Sequence, residues 1–338
     1  MLRGFKYLAL LVLGLAFSTC KKEKKQVPES NSDCLTYPEV NAGAGFDLGF
    51  KGYHISHVYT EVMNPIFNPT NENEFIYSKK EFDTTTLVDN YSLWKFNLET
   101  GNSIKLLAHL PFEMDSPIVF TSDGRIVYVV DRGIFSIMDA DGNNQQKFHS
   151  FGMNVSNLII NRSMSKMVMS WVIGASSKTV LYYLDGSQSD TFFYGVDGFT
   201  FLEGDFSGTD SIATLSSALD YFGVSVVDLA HDSMIPIFKK PVGGGERTRN
   251  VKWHPDNETL FFTNDQDGIY KYKAGQLTLV KPHCDNKMYG KLSISPSGQK
   301  MVVERYNRTK ISDTRLEVSS HIAIMNIDGT EEQVLDLE

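Results

Sequence analysis

The sequence predicts an all-β chain folded as a six-bladed β-propeller with four-stranded antiparallel blades, and three observations predict it. First, a strand–tight turn–strand phrase recurs six times, from Phe67, Phe120, Ile160, Phe206, Trp253 and Ile294. Second, a strand that breaks at Gly, Asp or Asn follows each copy. Third, no helical periodicity appears after residue 20, and Phe and Tyr are plentiful. The copies stand 53, 40, 46, 47 and 41 residues apart, and a repeat of roughly 40–50 residues with four strands marks a propeller blade.

The clearest copies of the phrase are W-H-P-D-N-E-T-L-F-F-T from Trp253, I-S-P-S-G-Q-K-M-V-V-E from Ile294 and F-N-P-T-N-E-N-E-F-I-Y from Phe67. Its partner runs L-W-K-F-N-L-E-T-G from Leu93, I-F-S-I-M-D-A-D-G from Ile134, V-L-Y-Y-L-D-G from Val180, V-S-V-V-D-L from Val224, I-Y-K-Y-K-A-G from Ile269 and I-A-I-M-N-I-D-G from Ile322. Each is β-branched or aromatic and ends in residues that tolerate a hairpin turn. Short outer strands come next, such as I-K-L-L-A from Ile104 and Q-V-L-D-L from Gln333. Ahead of the first copy, H-I-S-H-V-Y-T-E-V from His54 reads as a strand that either closes the ring on the last blade or lies across one face.

The N-terminus reads as an address. Arg3 and Lys6 precede an apolar stretch, Leu8 to Phe17, too short to span a bilayer. It ends F-S-T-C at Cys20, and a polar segment comes after it. The expected organisation is a signal peptide over 1–19, a lipidated Cys20 with a flexible tether over 20–45, and one propeller domain over 46–338. The junction resembles a bacterial lipoprotein lipobox of the looser form found in the Bacteroidetes, with Phe17 where Leu is usual and Thr19 where a smaller residue is usual. That resemblance implies acylation of the Cys20 thiol and attachment to a membrane, with the protein in the cell envelope and the outer membrane as the expected anchor. Cleavage after Ser18 would instead release a free protein. In an exported chain Cys34 and Cys284 either form a disulfide or remain thiols, and their spacing leaves both open.

The phrases S-P-S-G-Q-K from Ser295 and W-H-P-D-N from Trp253 resemble the TolB-type, WD-like propeller repeat, over residues from about 60 to 338. The resemblance implies a six-bladed propeller of the bacterial envelope that serves as a protein-interaction platform. The small α/β domain of TolB has no counterpart in the short polar stretch 21–62, so the Tol–Pal role is not carried over.

Chemistry-bearing motifs are few. There is no G-x-S-x-G elbow, no H-E-x-x-H, and Gly243 to Gly245 lack the Lys-Ser/Thr of a phosphate loop. Asp139 to Asn144 carry no distal Glu for calcium. No metal or cofactor is expected. The formal charge of −9, or −11 once Arg3 and Lys6 are removed, opposes nucleic-acid binding.

Connection lengths locate the expected site. Turns within the repeat phrase are tight, while Lys79–Asn90, Ala108–Ser116, Tyr194–Gly204, Lys239–Asn250, Lys281–Gly290 and Glu304–Ser319 read as long loops projecting from one face around the channel mouth. The candidate contact residues on them are Phe112, Asp115, Tyr221, Arg247, Arg249, His283 and Tyr289, a mixture of aromatics and both charge signs. The expected function is non-enzymatic binding of an envelope protein or glycan. A propeller enzyme of lactonase, lyase or glycoside hydrolase type is the alternative, and it requires acids, or His with acids, converging at the channel.

Overall fold

A computed structural model of the chain describes Cys34 and residues 58–83, 85–110, 118–131, 134–150, 157–173, 176–184, 190–192, 203–208, 211–218, 221–228, 233–241, 248–312 and 315–337. The chain divides into two units, Met1–Leu35 and Thr36–Glu338. Of the first, only Cys34 is described, and it is disulfide-bonded. The expected signal peptide, Cys20 and the tether otherwise lie outside the described residues. The second unit holds every described strand, and its Cys284 is also disulfide-bonded.

Twenty-four strands form six four-stranded sheets, and no helix occurs among the described residues. Blade 1 is β1 (Val58–Asn68), β2 (Asn71–Asp83), β3 (Val88–Asn97) and β4 (Asn102–Leu107). Blade 2 is β5 (Ile118–Phe120), β6 (Ile126–Asp131), β7 (Ile134–Met138) and β8 (Gln146–Ser150). Blade 3 is β9 (Asn157–Ile160), β10 (Lys166–Ile173), β11 (Ser176–Tyr183) and β12 (Asp190–Phe192). Blade 4 is β13 (Gly204–Phe206), β14 (Ser211–Ala218), β15 (Tyr221–Asp228) and β16 (Ser233–Pro241). Blade 5 is β17 (Thr248–Trp253), β18 (Thr259–Asn264), β19 (Gly268–Lys273) and β20 (Gln276–Pro282). Blade 6 is β21 (Lys287–Ile294), β22 (Lys300–Ser312), β23 (Arg315–Asn326) and β24 (Gln333–Val334). Within every blade the strands pair antiparallel in chain order.

The core lies between blades. Six hydrophobic clusters occupy the six junctions, and each joins a blade to its successor. Ile76, Leu93 and Leu106 of blade 1 meet Ile126, Tyr128 and Met138 of blade 2. At the other end Val302, Ile322 and Ile324 of blade 6 meet Phe67, Phe75 and Tyr77 of blade 1, which closes the ring. Twisted sheets present apolar residues on both faces to two neighbours, which is why a middle strand such as Thr259–Asn264 is buried at every position.

The ring closes without a borrowed strand. The segment expected as a strand from His54 enters the description at Val58 as β1, the inner strand of blade 1, and blade 6 carries its own outer strand β24. Polar side chains of blade 6 join the two. Ser320 Oγ accepts the N–H of Val62 at 2.7 Å, Glu304 Oε1 that of Asn64 at 2.6 Å, and Ser293 Oγ that of Phe67 at 3.0 Å. An inner strand has one edge without a ladder partner, so its N–H groups need acceptors from elsewhere.

Antiparallel order fixes the two faces. The turns between the first and second strands and between the third and fourth lie on one; the middle and blade-to-blade connections lie on the other. Three stretches expected as loops are shorter than their sequence suggested. β2 and β3 stay paired as far as Asp83 and Val88, and β22 and β23 as far as Ser312 and Arg315, so 79–90 and 304–319 are projecting hairpins. Strand pairing thus continues almost to each hairpin tip, where the sequence offers no turn signal like those of the repeat phrases. Between blades 5 and 6 only residues 283–286 separate β20 from β21.

Candidate functional site

On the tight-turn face the repeat phrases bind one another. Asp256 of W-H-P-D-N accepts the N–H groups of Glu258 and Thr259, both at 2.9 Å, and the Lys273 ammonium at 2.9 Å. Burial opposes its ionisation, but these donors hold its carboxyl well below the usual carboxylate range. Next to it, His254 Nε2 lies 3.1 Å from the carbonyl of Gly298 in the following blade. Gly298 has φ +73°, and a Cβ there would stand 2.3 Å from the imidazole, so glycine serves both the turn and the close approach. Gly208 N–H donates to Asn257 Oδ1 and Ser122 N–H to the Arg162 carbonyl, so turns of blades 4 and 5, and of 2 and 3, are linked likewise. A cleft of about 770 Å³ opens on this side between blades 6 and 1, lined by Phe96, Leu98, Ser297, Gln333 and Asp336 among others.

Toward the opposite face, the inner strands carry a polar belt. β1, β17 and β21 each bulge, at Met63/Ile66, Arg249/Lys252 and Tyr289/Leu292. Asn64 and Asn250 take φ of 53° and 47° at these bulges, a conformation asparagine tolerates. Glu203 Oε2 accepts the Asn250 N–H at 2.9 Å, Asn250 Oδ1 accepts the Leu292 N–H at 3.1 Å, and Glu304 Oε2 accepts the Lys291 N–H at 2.9 Å. Lys291 Nζ reaches 3.2 Å from Glu203 Oε1, past blade 5, which stands between them in the ring. The belt therefore runs through blades 4, 5, 6 and 1.

Glu304 is its most buried member. It faces the bulge at 290–291, in the place where blades 1 and 5 put Tyr77 and Phe262 opposite theirs. Tyr306 OH adds a third donor at 3.1 Å. Burial pushes the carboxyl above its ordinary value, while the Lys291 charge and the two backbone N–H groups pull it back. A Cβ at Gly290 would fall 2.3 Å from Glu304 Oε2, so a larger residue there would displace the carboxylate.

Of the residues expected to make contacts, Tyr289 and His283 stand at the junction of blades 5 and 6. Tyr289 is 1% exposed, and its hydroxyl donates to Glu332 Oε2 at 2.8 Å. It packs between blades 5 and 6 because β21 begins at Lys287, which places it on an inner strand. His283 stacks on it at 5.8 Å, lies 2.8 Å through Nε2 from the Asn264 carbonyl, and accepts the Tyr289 N–H through Nδ1 at 3.2 Å. With both ring nitrogens engaged, it secures the linker between the blades. Burial pushes it down to about 4. Tyr221 and Arg249 stand at strand ends on the long-connection face, β15 and β17 respectively, with side chains outside the described residues. Phe112, Asp115, Arg247 and Cys20 also lie outside them.

No family model matches the chain, and no curated protein matches it. Solved structures do. The putative TolB from Agrobacterium tumefaciens shares 15% identity with a TM-score of 0.58, over 73% of this chain and 88% of that one. TolB from Acinetobacter baumannii shares 12% with a TM-score of 0.51, over 82% and 79%. The fold is TolB-like. An acylaminoacyl peptidase is also similar, at 10% identity and a TM-score of 0.52, over 82% of this chain and 52% of that one. At such identities the likeness extends to the architecture alone, so the particular features of this TolB-like propeller are its own side chains.

The belt was missed at the sequence level, yet a signal existed. Asn64, Glu203, Asn250 and Lys291 each stand three residues before the apolar residue that opens a repeat phrase. Among the described residues no group of three or more His, Cys, Asp or Glu could hold a metal ion. The acids that do approach the inner strands accept backbone N–H groups. Their chemistry is that of acceptors for unpaired strand edges.

Proposed function

We propose that the chain is a lipid-anchored propeller of the cell envelope that binds a protein or glycan partner through the face bearing its middle and blade-to-blade connections. One observation carries this reading. The turns of the opposite face are linked to one another across three junctions, at Gly208–Asn257, His254–Gly298 and Ser122–Arg162. That face is thus engaged in holding the ring. The other carries the variable connections and two projecting hairpins, where recognition concentrates on a rigid scaffold. Glu203, Asp205 and Glu304 support binding over catalysis, because each carboxylate accepts an inner-strand N–H of a neighbouring blade.

Phe112, Asp115, Tyr221, Arg247 and Arg249 remain the proposed contacts, by their place in the connection order. Cys20 is the proposed acylation site, and Cys34 and Cys284, both disulfide-bonded, are proposed to pair with each other.

The test is affinity purification of the full chain from its own envelope, alongside variants carrying Arg247→Glu with Arg249→Glu on one face or Glu99→Arg on the other. Loss of a partner with the first pair alone supports the reading. Loss with Glu99→Arg alone overturns the face assignment, and turnover in a substrate screen without any partner overturns the function.

A further inference from the structure

The β2–β3 hairpin of blade 1 projects from the long-connection face and ends in a turn built by Asp83. Its Oδ1 accepts the N–H groups of Thr85 at 2.8 Å and Thr86 at 3.4 Å, and its carbonyl accepts the N–H of Leu87 at 2.8 Å. The β3–β4 turn of the same blade repeats this construction. There Asn97 Oδ1 accepts from Glu99 and Thr100, both at 2.9 Å, and the Asn97 carbonyl accepts from Gly101 at 2.9 Å. The fifth residue is left-handed in both turns, with φ of 69° at Gly101 and 56° at Leu87. Glycine is the expected occupant, because an L side chain in that conformation crowds the adjoining carbonyl. One turn has it. The other has a leucine that is 75% exposed, followed by Val88 at 59%.

Leu87 therefore bears backbone strain and belongs to none of the six hydrophobic clusters. Neither turn geometry nor packing among the described residues accounts for it, and strained residues of this kind gather at contact sites. The hairpin beneath is braced. Tyr59 packs on Phe82 at 5.3 Å, and Lys80 lies over Phe82 and Tyr91 while pairing with Asp89 at 3.3 Å. An anchor held ready in this way loses little freedom on binding.

We propose that Leu87 and Val88 form the apolar anchor by which this face docks on a folded protein partner bearing an apolar pocket with a basic rim. The rim follows from charge. Glu81 and Asp83 stand at the tip, while Lys80 and Asp89 pair with each other. An acidic collar disfavours an anionic bilayer surface and complements a basic one on a protein. The inference rests on the face assignment above and names the kind of partner.

The experiment uses the full chain in its native cells, with a photo-crosslinking residue in place of Val88, of Gln266 on the same face, or of Glu99 on the opposite face. The protein joined at Val88 is identified, purified and titrated against wild type and Leu87→Gly. The expected result is binding weakened about tenfold or more by Leu87→Gly, with an unfolding temperature equal to or above wild type, since glycine relieves the strain. Unchanged affinity overturns the proposal, as does a lower unfolding temperature, which would assign Leu87 to folding. It is equally overturned if the adduct is a second copy of the chain, if no adduct forms at Val88, or if Leu87-dependent flotation occurs with phosphatidylethanolamine–phosphatidylglycerol vesicles. Adducts at Gln266 without Val88 leave the face assignment standing and end this inference alone. Adducts at Glu99 alone end both.

Discussion

Glu304 Oε1 accepts the backbone N–H of Asn64 at 2.6 Å, and that bond joins the last blade to the first. The other oxygen of the same carboxylate accepts the N–H of Lys291 at the bulge of its own blade. One side chain thus satisfies two bulged inner strands, at the only junction where chain ends far apart in sequence must meet. The polypeptide itself does not run from the last blade into the first at this junction. Here side-chain acceptors supply what a shared strand would otherwise provide.

Replacing this carboxylate should loosen the ring. Glu304→Ala leaves the Asn64 and Lys291 N–H groups buried without acceptors and opens a cavity, so a loss of about 3 kcal/mol is expected in urea unfolding. Glu304→Gln keeps one acceptor oxygen and should lose less. The two forms also differ in pH response. Burial raises the folded carboxyl above its ordinary 4.5, so above pH 4.5 the folded chain holds a proton that the unfolded chain has released. Stability from this group therefore falls as pH rises through that window. The advantage of wild type over Glu304→Gln should shrink from pH 4.5 upward; an advantage that grows would contradict the assignment.

His283 titrates with the opposite sense. Burial lowers it to about 4, with Arg308 adding to the effect and the Asn264 carbonyl opposing it. Between its ordinary 6.5 and that value the unfolded chain is protonated while the folded chain is not, so stability is lost as pH falls. The expected loss is about 2–3 kcal/mol across the window. His283→Gln should flatten the curve between pH 6.5 and 4, measured as urea midpoints.

How much of this was legible in the sequence differs by feature. The blades were, because every repeat phrase carries a turn residue whose side chain caps its own backbone. Asn161 with Ser165 and Lys166, and Asp256 with Glu258 and Thr259, are examples. Short-range chemistry of that kind leaves a local pattern. The belt was not, because Glu203, Asn250 and Glu304 act on strands some 40 or more residues away; the shared offset from the repeat betrays Glu203 and Asn250, and nothing local betrays Glu304. Tyr289 was misplaced for a related reason. H-C-D-N at His283 to Asn286 reads as the middle of a long loop, whereas the strand resumes at once and buries the tyrosine against the next blade.

The carboxylate of Glu332 makes a second test of inter-blade contacts. Lys281 of blade 5 approaches it at 2.9 Å, and Arg305 and Tyr289 of blade 6 at 2.8 Å each. Burial opposes its ionisation, but these partners hold it below the ordinary carboxylate range. Glu332→Ala strands two partly buried cations and a buried hydroxyl, so a loss of about 2 kcal/mol is expected. Lys281→Ala should lose about 1 kcal/mol, and the double variant less than the sum, because the two share one interaction. Additivity in the cycle would show that the blades do not communicate through this pair.

The cysteines give the last prediction, which separates the anchor from the fold. If Cys20 is acylated and Cys34 pairs with Cys284, Cys20→Ser should move the protein from the membrane to the soluble fraction and abolish palmitate labelling, with no change in the urea midpoint. Cys284→Ser should do the reverse. It should leave the protein membrane-bound and lower stability by about 2–4 kcal/mol, the range for a structural disulfide. A non-reducing peptide map identifies the pair directly. Linkage of Cys20 to either of the other two would sink both assignments together, since a thiol in a disulfide is not free to carry an acyl chain.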